Sequence, residues 1–80
     1  MDTQILVREL NKIFWKRDLS DDEVANEMLS LMDENKETIQ TDSALNGAYR
    51  ILNIWSRSET ETGYYLDTVK DLLNFEESSG

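Results

Sequence analysis

Apolar residues recur every three or four positions along nearly the whole of this chain, with very little strand-like alternation, and no proline interrupts them. A period near 3.6 residues is that of a helix with one buried face. The sequence therefore predicts an all-α fold: a small compact bundle of about four short helices, paired as two antiparallel hairpins by short connections. Eighty residues support one domain with a single modest core, because a chain of that size buries only roughly 60 % of its unfolded surface. The expectation is one helical domain over residues 1–76 and a solvated tail over 77–80.

Leu6, Leu10, Ile13 and Phe14 predict a first helix from Thr3 to about Arg17. Asp2 or Thr3 caps its start, and Lys16 and Arg17 fall in a last turn whose exposed carbonyls favour cations. The second helix carries the most specific local signal. Ser20 followed by Glu23 is a capping box, Leu19 and Val24 are spaced as a hydrophobic staple, and Asp21 and Asp22 suit the positive end of the helix dipole. Val24, Met28, Leu31 and Met32 then carry the apolar face to about Glu34. Asn35 is placed to cap a new helix directly, but Ile39 falls off the line of the next stripe, formed by Leu45, Ala48, Leu52 and Trp55, which is best met by a break or bent start near Thr41 to Ser43 and a third helix to about Arg57. Gly47 sits inside that helix, where glycine costs about 1 kcal/mol relative to alanine and marks either close packing or simple tolerance. A fourth helix, starting at Ser58 or Thr60, turns Tyr65, Leu66, Val69, Leu72 and Leu73 inward and frays near Phe75. An offset of 40 residues aligns Trp15 with Trp55, Arg17 with Arg57 and Ser20 with Thr60, as a duplicated hairpin would, and as two ordinary helical units also would.

Seventeen carboxylates against eight cations give a formal charge of −9, and the chain contains no histidine and no cysteine. That removes the usual near-neutral general base, the thiolate nucleophile and the soft ligands of structural zinc. Calcium loops require glycine at the sixth position and glutamate at the twelfth. A loop from Asp18 meets Glu23 and Leu29 there, and one from Asp33 meets Thr38 and Ala44. The expectation is a non-enzymatic protein without cofactor or metal. No apolar run reaches the roughly 18 residues of a membrane span, and the N-terminal residues lack the pattern of a secretory signal, which points to a cytoplasmic protein.

The negative field attracts cationic partners and repels nucleic acid phosphates. Arg8, Lys12 and Lys16 form a short positive stripe, for which neutralisation by acids of the second helix is the simplest expectation. The candidate docking residues are the densest acidic stretch, Asp21, Asp22, Glu23, Glu27, Asp33, Glu34 and Glu37, with Glu59 and Glu61 at a later loop. Trp15, Tyr64 and Phe75 extend the core, the usual place of aromatics in so small a domain, or, where exposed, are candidate aromatic anchors, since aromatic side chains are enriched at binding hot spots. In composition the chain is similar to small acidic immunity proteins and phage-encoded inhibitors. The function expected is that of an inhibitor or antidote whose carboxylates occupy the phosphate positions of a basic partner, such as a nuclease or another nucleic-acid-handling protein. The alternative is a structural or oligomeric adaptor, homodimeric or docked on a larger assembly, that associates through an apolar helical face.

Overall fold

The computed structural model describes residues 2–58 and 61–76. The helical period resolves into five helices, α1 (Thr3–Phe14), α2 (Asp21–Asp33), α3 (Lys36–Gln40), α4 (Ser43–Ser56) and α5 (Thr62–Leu73). Their order and most of their apolar faces follow the sequence pattern, except that Leu72, expected to point inward, is 38 % exposed beside Gly47, and the additional helix is α3. It forms around Ile39, which is only 2 % exposed: the side chain that does not fit the α4 stripe is buried by giving it a turn of its own. Asp42 then restarts the chain by accepting from the Ala44 and Leu45 amides at 2.9 and 3.1 Å, an N-cap that sets the α4 entry angle.

Two helix ends differ from expectation. α1 stops at Phe14, three residues before Arg17, because its last turn tightens. The Lys16 amide bonds to the Ile13 carbonyl at 3.2 Å, and the Trp15 indole donates back to Asn11 Oδ1 at 2.8 Å. Lys12, rather than Lys16 and Arg17, is the cation of the last turn. α5 starts after Glu61, which stands at the N-cap without a side-chain bond to the helix; of the two starts expected, Ser58 is too early and Thr60 lies outside the described residues. At the far end Asn74 adopts a left-handed conformation with φ 55°, one that asparagine tolerates better than most residues. The chain thereby turns back, so that Phe75 packs on Phe14 with ring centroids 5.3 Å apart and Asn11 Nδ2 donates to the Glu76 carbonyl at 3.1 Å. Residues 77–80, expected as a tail, lie outside the described residues.

α2 packs against each of the other four helices. Its Val24, Ala25, Met28 and Met32 meet Leu6 and Leu10 of α1, Ile39, Leu45, Ala48 and Leu52 of α3 and α4, and Leu66, Val69 and Leu73 of α5 in one apolar core. Among the described residues no polar or charged residue is buried. The Cα radius of gyration is 11.6 Å, the value compact domains of about 80 residues have. α4 and α5 run antiparallel. Trp55 near the end of α4 donates its indole N–H to Thr62 Oγ1 at 2.9 Å, and a Cβ on Gly47 near the start of α4 would lie 3.7 Å from Leu72 Cδ1 near the end of α5. The two tryptophans of the 40-residue offset thus do different work, Trp15 within its own helix end and Trp55 across a connection.

The 3.7 Å separation at Gly47 is ordinary contact, so close packing does not demand glycine there. Gly47→Ala should raise stability by about 0.5–1 kcal/mol through the helix-propensity gain. Met28→Ala should lower it by about 2–5 kcal/mol by opening a cavity, and Ser20→Ala by about 1 kcal/mol through loss of the cap. Thermal unfolding followed by circular dichroism distinguishes the three, since about 1 kcal/mol moves the midpoint of a domain this size by roughly 4–8 °C.

Candidate protein-docking face

The acidic helix is fixed first at its own start. Ser20 Oγ accepts from the Glu23 amide at 3.3 Å and Glu23 Oε1 accepts from the Ser20 amide at 3.2 Å, completing the expected capping box, with Asp21, Asp22 and Glu23 all in the first turn. Eight of the seventeen carboxylates but one cation, Lys36, fall between residues 18 and 37. The negative charge is therefore concentrated on α2 and its flanks, while the rest of the chain is close to neutral.

Because Val24, Ala25, Met28 and Met32 point into the core, a 100° step per residue sends the acids of α2 to its two flanks and outer side. On the flank facing α4 and α5, Asp22 and Asp33 accept hydrogen bonds. The Thr62 hydroxyl donates to Asp22 and the Tyr49 phenol to Asp33. Thr62 accepts from Trp55 as well, so an indole, a hydroxyl and a carboxylate join α4, α5 and α2 in one chain of bonds. On the opposite flank Glu23, Glu27 and Glu34 follow one another beside α1. Lys16 reaches Glu27 at 3.6 Å, the expected neutralisation of the α1 stripe, while Lys12 pairs within its own helix with Glu9 at 3.5 Å. An open groove of about 510 Å³ runs between α1 and α2, lined by Glu9, Ile13, Lys16, Asn26, Glu27, Ser30, Leu31 and Glu34.

The nine acidic candidates therefore divide. Asp22 and Asp33 are committed to internal bonds, Glu23 to the cap and Glu27 to Lys16. All eight described candidates are exposed, but the side chains of Asp21, Glu34, Glu37 and Glu61 form no hydrogen bond or ion pair among the described residues. Glu61 lies at the same end of the molecule as Asp21, since a Cβ on Gly63 would come within 3.7 Å of Asp21 Oδ2. Glu59 lies outside the described residues. The acids form two groups, one at each end of α2, with the Lys16–Glu27 pair between them.

The aromatic candidates also separate. Phe75 is 5 % exposed and belongs to the core; the left-handed turn at Asn74 folds it onto Phe14, which removes it as a surface anchor. Trp15 is half-buried, meets Phe14 edge-on at 4.8 Å and lies under the Lys70 ammonium, 5.6 Å from the ring centroid, a cation–π contact. Tyr64 is 73 % exposed, held only edge-on against Tyr65 at 5.7 Å, and of the three it alone presents an open ring. Tyr49 and Thr62 escaped the sequence reading. Tyr49 lies one position beyond Ala48 of the α4 stripe, a place that signals the flank of a buried face and nothing about its partner.

Among the described residues no three carboxylates converge closely enough to hold a metal ion, and no helix is long and apolar enough to cross a membrane. No family model, curated protein or solved structure matches this chain.

The hydrogen bond to Asp33 holds the Tyr49 phenol above its ordinary 10.0, with burial acting in the same direction and Asn53 opposing it. Because the folded value is raised, the stabilisation is complete below pH about 10 and is lost as pH climbs through the folded value. In an ultraviolet tyrosinate titration Tyr49 should ionise above its ordinary value, and Asp33→Ala should bring it back toward the ordinary range. An unchanged titration in that variant would contradict the contact.

Proposed function

We propose that this protein is a small non-enzymatic interaction domain that docks the carboxylate-rich outer side of α2 and its flanks on a basic protein surface, in the manner of an inhibitor or antidote of a nucleic-acid-handling partner. The observation that carries the reading is the partition of charge: eight carboxylates and one cation lie between residues 18 and 37, on α2, the turns that flank it and the start of α3, with the other side of α2 locked into the core. A rigid helix holding acids at fixed spacing pays little ordering entropy on binding. Its field steers a cationic partner toward it and keeps phosphate away.

The acids whose side chains have no partner among the described residues, Asp21, Glu34, Glu37 and Glu61, are the contacts most open to a partner in this reading, with Glu27 available by exchange from Lys16. Asp22 and Asp33 act mainly by holding α2 against α4 and α5. Tyr64 stands on α5, away from the acidic side, and is not part of the docking face proposed here.

Capture of basic proteins by the immobilised chain, read at two ionic strengths, tests this. Nucleic-acid-binding proteins should be retained at low salt and largely released between roughly 50 and 200 mM. Glu34→Lys with Glu37→Lys should weaken retention by at least about tenfold. Asp67→Lys with Asp71→Lys, which shifts the net charge equally but on α5, should leave most of it. Retention that persists at the higher salt and ignores the first pair of reversals would refute the proposal.

A further inference from the structure

Three of the four large apolar side chains that stand exposed among the described residues, Ile54, Tyr64 and Leu72 at 57 %, 73 % and 38 %, fall on one surface, the outer face of the α4/α5 hairpin. Their spacing explains the coincidence. Gly47 and Ile54 lie seven residues apart on α4 with Ile51 between them, and Tyr64, Thr68 and Leu72 recur every fourth residue on α5, so each set lines one side of its helix. The antiparallel register, fixed by Gly47 beside Leu72 and Trp55 bonded to Thr62, joins the two sets into a single strip. α2 packs on the inner side of the same hairpin through Asp22 and Asp33, so nothing in the described chain covers the strip.

The charges that border it decide what does. Along the α4 edge stand Arg50 and Arg57, again seven residues apart, and along the α5 edge stand Asp67 and Asp71, four apart; all four are exposed. None of them forms an ion pair within the described chain, although Lys12 and Lys16 both do. The strip thus has a cationic border on one side and an anionic border on the other. By the Gly47–Leu72 register, Arg50 stands level with the stretch of α5 between Asp67 and Asp71, and Arg57 stands level with its start, at Glu61.

A surface with opposite charges on its two long edges is complementary to itself under a two-fold rotation about the hairpin direction. That rotation lays α4 of one copy along α5 of the other, antiparallel, and an isologous interface makes each contact twice. We propose that a second copy of this chain covers the α4/α5 face. Arg50 then meets Asp67 and Asp71 of the second copy, Arg57 meets its Glu61, and Ile54, Tyr64 and Leu72 leave water along the shared axis. Apart from Glu61, the α2 side remains free in the pair; self-association is read by sedimentation and docking by salt-dependent capture through Glu34 and Glu37, so the two proposals are tested separately.

Sedimentation of the full chain from low micromolar to near-millimolar concentration reads the result directly. A monomer–dimer equilibrium is expected. Ile54→Glu, exposed in the monomer and so compatible with folding, should raise the dimer dissociation constant by at least about tenfold, as loss of a central anchor does; circular dichroism confirms that each variant stays helical. Arg50→Asp, and separately Asp67→Arg with Asp71→Arg, should each weaken self-association by at least about tenfold by setting like charges against one another while leaving the Arg57–Glu61 contact intact. An equimolar mixture of those two variants should form a heterodimer, because every border then faces its opposite. A chain that stays monomeric throughout, a dimer indifferent to Ile54→Glu, or reversed variants that fail to recover on mixing would each overturn the proposal.

Discussion

The burial of one side of α2 by every other helix is the constraint on which the rest of this structure depends. Val24, Ala25, Met28 and Met32 are each no more than 3 % exposed, and they are covered from several directions at once. At roughly 25 cal/mol per Å² of apolar surface removed from water, four such side chains resist any rotation of α2 about its axis by several kcal/mol. The same lock that forms the core thus dictates where the acids of α2 stand. A helix with its apolar stripe on a single neighbour would be free to roll, and its carboxylates would have no fixed direction.

The carboxylates then divide according to the flank they occupy. Those turned toward α4 and α5 serve as acceptors: Asp22 for Thr62, which in turn holds Trp55, and Asp33 for Tyr49. Hydrogen bonds to charged acceptors are the stronger kind, and with one near each end of α2 they set its position along the α4/α5 hairpin, which apolar packing alone leaves loosely defined. The remaining acids face solvent on a scaffold that does not move to accommodate them. A net charge of −9 repels itself in any compact state; the capping box, the favourable α2 dipole and the Lys16–Glu27 pair offset part of that cost where the density is highest.

The helical period, the capping box and the apolar residues of α2, α4 and α5, Leu72 excepted, were legible in the sequence because each is local or periodic. What the sequence did not disclose depends on contacts between distant segments. α1 ends early because Asn11 engages Trp15 and, 65 residues away, the Glu76 carbonyl; no spacing rule contains that pairing. Phe75 lies away from the α5 stripe, a place that leaves core and anchor both open, and it is the left-handed Asn74 that turns it into the core. Ile39 is out of line with its neighbours and Asn35 is placed to cap a helix, but that a separate short helix, α3, buries Ile39 before the break is not written in the spacing. On the acidic side, composition located the stretch, while the split between hydrogen-bonded and unbonded carboxylates required Tyr49 and Thr62, which carry no charge to draw notice.

Two faces on opposite sides of one small core now have separate physical characters: the α2 side, rich in carboxylate, and the α4/α5 side, apolar between opposed charges. The central claim is that negative charge is aimed by the core rather than distributed around it. Backbone amide chemical shifts recorded while a short arginine-rich peptide is titrated into the protein test that claim most directly. The account predicts that perturbations concentrate between residues 21 and 37, strongest near Glu34 and Glu37, and leave the outer side of α4 and α5 nearly unchanged. Perturbations of similar size on all five helices would contradict it.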